Sequence, residues 1–299
     1  AVNAAKEADV VVLAIGEDRL QSGEATSNAN IRIPEIQQRL LERVSKVNEN
    51  VVVVLFNGRP LDLSWESTVA DAIVEAWYPG TEGGHAVADV LSGDFNPCGK
   101  LTMTFPRNLG QVPIHYDAKN TGRPYTPGQG EQHYVSRYLN EPTITPLYPF
   151  GYGLGYADFE YIVESWPSES GLTADGEYSV SVRVANVGDR TGNTYSGRET
   201  VQLYVTPPYH EGEIEKSHVS LLALGKTAEL DPGESQVITL TFSAYDMASY
   251  DSYDANKNGF AGWELDEGSY ELKLMSDSHN VVTALGEGSE AATFSMNAA

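Results

Sequence analysis

The chain has 299 residues, enough for two ordinary domains. Its 42 Asp and Glu outnumber 19 Lys and Arg, a formal charge of −23, which excludes a nucleic-acid binder and sets the chain against an anionic membrane surface. One cysteine, Cys98, leaves no intrachain disulfide and no Cys-based zinc site, and the longest apolar runs, such as 51–56, are too short to span a bilayer.

The chain starts at Ala1 rather than Met, with no charged segment and apolar core of a signal peptide behind it. This is expected of a processed form or a piece of something longer. Residues 1–8 read as the tail of a helix. Residues 9–15 (DVVVLAI) and 51–56 (VVVVLF) are short, continuous, Val-rich runs, the pattern of parallel strands buried on both faces. Between them the spacing predicts a helix with Pro34 at its first position and Ile36, Leu40, Val44 and Val47 along one stripe. A third strand is expected over 72–77. Thr81 is then placed to cap a helix carrying Ala86, Val87, Val90 and Leu91, ended by Gly93, and a short strand follows at 101–105. The alternation predicts an open, mostly parallel α/β sheet. Three or four strands are few for a doubly wound domain, so its first strands are expected to be missing. Residues 106–156, rich in Pro, Gly, Asn and Tyr, read as a long loop that is functional or docked on a neighbour.

From about Tyr161 the period changes to two. Tyr178, Val180, Val182 and Val184 alternate with polar residues, as do Val201, Leu203 and Val205, the stretch 237–242, and Tyr270, Leu272 and Leu274. Turn signals fall between them at 186–192, 207–208, 231–233 and 266–268. Short alternating strands at this spacing predict an immunoglobulin-like β-sandwich. Charge divides in the same way: residues 1–156 carry 12 basic and 18 acidic side chains, and residues 157–299 carry 7 and 24. The expected domains are therefore 1–156 and 157–299. Strong acidity favours solubility and fits a secreted or salt-exposed protein.

In open α/β sheets ligands bind beyond the carboxyl ends of the strands. The loop there, 16–27 (GEDRLQSGEATS), carries Glu17, Asp18 and Glu24 and two glycines. It is either the carrier of a general acid or a solvated acidic surface loop. The six histidines are scattered with no HExxH spacing, and no G-x-S-x-G elbow is present. Residues 80–84 (GTEGG) read as a helix entry rather than a phosphate loop. Residues 254–259 (DANKNG) begin like a calcium loop, but the twelfth position is Leu265 where a bidentate Glu is needed, with Glu264 one residue early. A polar hairpin turn explains the same residues.

Six segments carry a resemblance: 57–60 (NGRP), 77–84 (WYPGTEGG), 88–97 (ADVLSGDFNP), 99–106 (GKLTMTFP), 120–125 (NTGRPY) and 147–156 (LYPFGYGLGY). Together they resemble the C-terminal α/β domain of family 3 glycoside hydrolases. Residues 184–190 (VANVGDR), 201–205 (VQLYV) and 230–234 (LDPGE) resemble the fibronectin-III-like domain that follows in the same family. The resemblance covers nearly the whole chain.

That family is similar to β-glucosidases and glucan exohydrolases, retaining enzymes with two carboxylates about 5–5.5 Å apart, one a nucleophile and one an acid/base. The resemblance implies that the nucleophile Asp belongs to an N-terminal (β/α)8 barrel absent from this chain. It implies Glu24, within 22–25 (SGEA), as the acid/base on a loop reaching over the barrel mouth. Such an acid keeps its proton near neutral pH only through burial or a neighbouring negative charge, which docking on the barrel would supply. Arg123 and Tyr125 are expected on the aglycone side, the first to hydrogen-bond hydroxyls and the second to stack; the same segment also reads as an interdomain packing loop. Trp77 reads as core. Where the family often carries Asp after 136–138 (SRY), this chain has Asn140, so no carboxylate stands there. The expected partners are a β-glucoside or short β-glucan, a barrel segment or chain of the same enzyme, and a second copy in a homodimer. No cofactor or metal is implied, and the expected location is periplasmic or secreted. Two rivals stand beside this reading: a non-catalytic carbohydrate-binding or interaction module, favoured by exposed coplanar aromatics, and a sandwich that only assists oligomerisation, with no role for Glu24.

Overall fold

The computed structural model describes residues 1–119, 122–126, 128–140, 143–168, 171–188, 192, 194–283 and 293–298. Asn120 and Thr121 of the 120–125 segment, and Asp189 and Arg190 of the 184–190 segment, lie outside them. The chain divides into two compact units that interleave along the sequence. The first comprises 1–95, 103–114 and 145–148, and the second 96–102, 115–144 and 149–299.

In the first unit, α1 (Val2–Glu7), β1 (Val11–Gly16), α2 (Glu35–Ser45), β2 (Val51–Phe56), α3 (Glu66–Val69), β3 (Ala72–Glu75) and α4 (Gly83–Ser92) alternate, all but the short α3 where the periodicity predicts an element. The strands form a parallel sheet in the order β1-β2-β3, with Val11 opposite Val51 and Val52 opposite Ala72. Val51, Val53, Val54 and Leu55 of the central strand are buried, as the continuous apolar run requires. Edge strand β1 departs from that expectation: Val12 and Ala14 along it are exposed. Helix α2 begins one residue later than predicted, with Pro34 extended just ahead of it. Its buried residues are Leu41 and Val44, whereas Ile36 in its first turn is 74 % exposed, so the buried face runs through Leu41 and Val44 and only part of the predicted stripe lies on it. Thr81 caps nothing; Glu82 precedes α4 without a side-chain cap bond, and Gly93 ends the helix in the left-handed region at φ +83°. Residues 101–105 are not a fourth strand. Phe105 makes only an isolated antiparallel bridge to Tyr148, since Pro106 stops a ladder from continuing.

The sandwich in the second unit is built from two antiparallel sheets. One is β4 (Asp158–Ser165), β5 (Glu177–Gly188) and β8 (Ser235–Ser243). The other is β12 (Asn280–Val281), β11 (Gly268–Asp277), β6 (Thr200–Thr206) and β7 (Ser220–Lys226), with β13 (Thr293–Ala298) also on β11. Val180, Val182, Val184, Leu240 and Phe242 from the first meet Val201, Leu203, Val205, Leu272 and Leu274 from the second in one core, the inward half of each alternating strand. Strand β6 is buried on both faces. On its outer face Tyr204 lies under Tyr116 and Phe150 of the preceding loop, whose rings stack at 4.1 Å, and the buried Gln202 donates its amide to the Gly151 carbonyl at 3.0 Å. That long loop is therefore partly a cover for the sandwich.

The calcium-like segment is a turn between β9 (Ser249–Asp251) and β10 (Gly262–Glu264), which pair antiparallel. Asn256 and Asn258 each donate a side-chain amide to Glu264 Oε2, at 2.8 and 2.7 Å, and Gly259 N–H donates to Asp254 Oδ1 at 3.1 Å. The polar residues thus close the hairpin on itself. Among the described residues no helix is long and apolar enough to cross a membrane.

Candidate active site

The three parallel strands of the first unit end side by side, and each ends in a polar residue: Glu17 after β1, Asn57 after β2 and Glu75 closing β3. This is the edge where an open α/β sheet receives its ligands. The exit from β1 is built by Gly16, which has φ +137° and passes so close to β2 that a Cβ there would lie 1.9 Å from the Phe56 carbonyl oxygen. Gln37 of α2 grips the same residue from the other side, accepting from Gly16 N–H at 2.7 Å and donating to its carbonyl at 3.1 Å.

Beyond Gly16 the chain leaves the sheet for the acidic loop and returns at Ile31 and Ile33, both buried. Local bonds shape the loop. Asp18 and Gln21 close one turn, and Thr26 closes the next with its Oγ1 donating to the Gly23 carbonyl at 2.6 Å. Glu24 is exposed between Gly23 at φ +143° and Ala25 at φ +59°. It makes no hydrogen bond or ion pair with the described residues. A non-glycine residue held in the left-handed region carries a backbone cost of about 1–3 kcal/mol, of the kind found at functional sites.

The loop is tied to the strand ends by Arg59. Its Nε lies 3.1 Å from Glu17 Oε1, and its Nη2 donates to the carbonyls of Gln21 at 2.5 Å and Thr26 at 3.0 Å. The Glu17 side chain is only 3 % exposed, so its charge is paired where water does not reach. Gly58, next door, runs against the loop as well: a Cβ on it would stand 2.1 Å from Ser22 Oγ. Asn57 is fully buried and donates its amide to the Arg59 carbonyl at 2.8 Å. Burial pushes the Glu75 carboxyl up to about 7, against the opposing pull of the Trp77 N–H and the Asn57 amide. Trp77 itself is half-buried, at φ +49°, with its ring 5.8 Å from that of Phe105; it packs rather than presenting a sugar platform.

Arg123 and Tyr125 belong to the second unit. The Arg123 carbonyl accepts from Ser136 N–H at 2.8 Å, which aligns the two segments. Tyr125 lines a cavity of about 400 Å³ with Arg137, Tyr138, Leu139 and Asn140 among its walls. The cation on that wall is Arg137; Arg123 is exposed outside it.

In the sequence Glu24 and its loop stood out, whereas the contacts that Glu17, Gln37, Asn57, Arg59 and Glu75 make at the strand ends did not. A signal for two of them was present, since Asn57 and Arg59 follow directly on the apolar run of β2, at the end where parallel strands carry function.

The sequence model of the Glycosyl hydrolase family 3 C-terminal domain matches residues 1–156, and that of the Fibronectin type III-like domain matches residues 199–278. A periplasmic beta-glucosidase of Salmonella typhimurium is 41 % identical over 282 residues, which cover 91 % of this chain and 35 % of that protein. A beta-xylosidase of Formosa agariphila is 38 % identical over 239 residues, covering 80 % of this chain and 31 % of that one. The crystal structure of a beta-glucosidase from Listeria innocua in complex with glucose superposes with a TM-score of 0.85 at 35 % identity, covering 99 % of this chain and 37 % of that one. The chain thus spans about a third of the length of the relatives it matches.

Proposed function

The chain belongs to glycosyl hydrolase family 3, and from that premise we propose that it is the C-terminal portion of a retaining, exo-acting β-glycosidase, divided at 156/157 into an α/β domain and a fibronectin-III-like sandwich. In this reading Glu24 is the general acid/base. The nucleophile Asp lies in a barrel segment outside this chain, and terminal β-D-glucosyl residues are cleaved. The observation that carries it is the state of Glu24: a carboxylate with no partner, at the tip of a pinned loop at the functional edge of the sheet. A group that must meet a glycosidic oxygen has to be free of its own chain's donors, and the loop leaves it so. The name of the Salmonella relative supports the glucoside. Arg123 and Tyr125 are proposed for the aglycone side, where Tyr125 on a cavity wall offers a stacking face.

The mechanism asks one proton of this chain. The acid form of Glu24 protonates the leaving oxygen as the nucleophile attacks; the resulting carboxylate then takes a proton from the water that releases the sugar. In the full-length enzyme, Glu24→Gln is expected to lower kcat/KM on an unactivated aryl β-glucoside by about 10²–10⁴-fold, and far less on a dinitrophenyl glucoside, whose leaving group needs no proton. Equal kinetics on both substrates would remove Glu24 from the reaction. Export to the periplasm or medium and assembly as a homodimer complete the proposal; the first is supported by the Salmonella relative's name, and cell fractionation and light scattering check them.

A purely sugar-binding role would be supported by a flat aromatic face on the sandwich. Tyr245, Tyr250 and Trp263 are exposed neighbours there, but their planes cross at 53° and 72°. They form no flat platform.

A further inference from the structure

We propose that Arg59 is the positioning residue of the acid/base loop: it closes residues 21–26 into a fixed tip and so sets where the Glu24 carboxyl stands. This rests on the reading of Glu24 given above and adds the device that aims it.

Three contacts of one guanidinium carry the inference. Its Nε faces the buried Glu17 carboxylate, which is anchored to the end of β1 and whose own N–H donates to the Phe56 carbonyl at 2.8 Å. Its Nη2 binds the carbonyls of Gln21 and Thr26, one on each side of Glu24. Both carbonyls on a single nitrogen bring the chain at 21 together with the chain at 26, and the four residues between them become a closed turn with Glu24 in it. Neutralising Glu17 would take only a positive charge, and a lysine could supply that. Holding a carboxylate and two diverging carbonyls at once takes the planar fork of an arginine. Nor are the two carbonyls there for want of any other partner, since neither Gln21 nor Thr26 is buried and water could serve both.

The neighbours of Arg59 fit the same purpose. Asn57 donates to the Arg59 carbonyl and holds the backbone from which the side chain departs. Gly58 lets the loop come down onto the strand end, because any side chain there would strike Ser22 and Tyr78. Ala25 at φ +59° is a conformation that a free loop would relax. The fork supplies the closure that keeps it. General acid catalysis falls steeply with misplacement, about 10²-fold for an ångström, so an exposed carboxylate on a loop needs such a clamp.

The test uses the full-length enzyme with Arg59→Lys, Gly58→Ala and Glu24→Gln side by side, measured on phenyl and 2,4-dinitrophenyl β-glucosides. Arg59→Lys keeps the charge beside Glu17 and loses the fork. Gly58→Ala pushes Ser22 outward without touching the core, and serves if the arginine variant fails to fold. Each is expected to lower kcat/KM on the phenyl glucoside by about 10–100-fold, to change it less than about threefold on the dinitrophenyl glucoside, and to leave azide able to raise kcat on the latter, because azide needs no general base. A uniform loss on both substrates, or no loss, while Glu24→Gln shows the leaving-group signature, overturns the positioning role and leaves the acid/base reading standing. Absence of the signature in Glu24→Gln itself overturns both.

Discussion

Glu75 sits where its charge is least welcome, half-buried at the end of β3 with its Oε2 and the neighbouring Asn57 Oδ1 both lacking a donor. A proton on Glu75 supplies the missing donor. The sign of the consequence follows from linkage: a carboxyl raised from 4.5 to about 7 binds its proton more tightly in the folded state. Its contribution to stability is therefore complete below the unfolded value and lost as pH rises through about 7. Thermal unfolding of the protein should show a midpoint that declines between about pH 5 and 8 on this account, and Glu75→Gln should flatten the decline by keeping a neutral donor in place. A wild-type and variant pair with parallel pH profiles would remove the carboxyl from the balance. Residues of this kind were not legible in the sequence. Glu24 stood out because its segment, 22–25, resembles the acid/base position of the family, and Arg59 lay in another segment that resembles it. What separates Glu75 from other carboxylates is burial beside an amide, which follows from how three strands end together.

At the scale of elements, β1 and β2 meet so closely at Gly16 that the pair tolerates no side chain there, and the exit of the acidic loop depends on that approach. Gly16→Ala is expected to destabilise the first unit by at least about 2 kcal/mol, the combined effect of a φ near +137° and a Cβ pressed on the Phe56 carbonyl. Its unfolding midpoint in urea should shift by the matching amount; an unchanged midpoint would mean that the strands separate without cost. The continuous Val-rich run at 51–56 announced a buried strand, and alternation announced β5, β8 and β11. Two elements were misread for local reasons. Residues 101–105 have strand composition, but a proline and a turning chain leave them one bridge. Helix α2 was shifted by one residue, because Pro34 serves equally as a first helical residue or as the extended residue before it.

For the molecule as a whole, a formal charge of −23 means that like charges repel across much of the surface. Raising sodium chloride from about 0.01 to 0.5 M shortens the Debye length from about 30 Å to under 5 Å, and the unfolding midpoint is expected to rise by a few degrees. A midpoint that falls would show that exposed ion pairs such as Arg39 with Glu35 outweigh the repulsion. The division into an α/β half and a sandwich half was legible in the sequence as a change of period and of charge. The interleaving was not, since it rests on where short loop segments find their neighbours. It bears on how such a protein could be rearranged. The chain passes between the two units at 95/96, 102/103, 114/115, 144/145 and 148/149. A gene spliced at any single point would carry off fragments of one unit with the other. Recombination that trades whole units therefore has no clean seam to use within the first 148 residues.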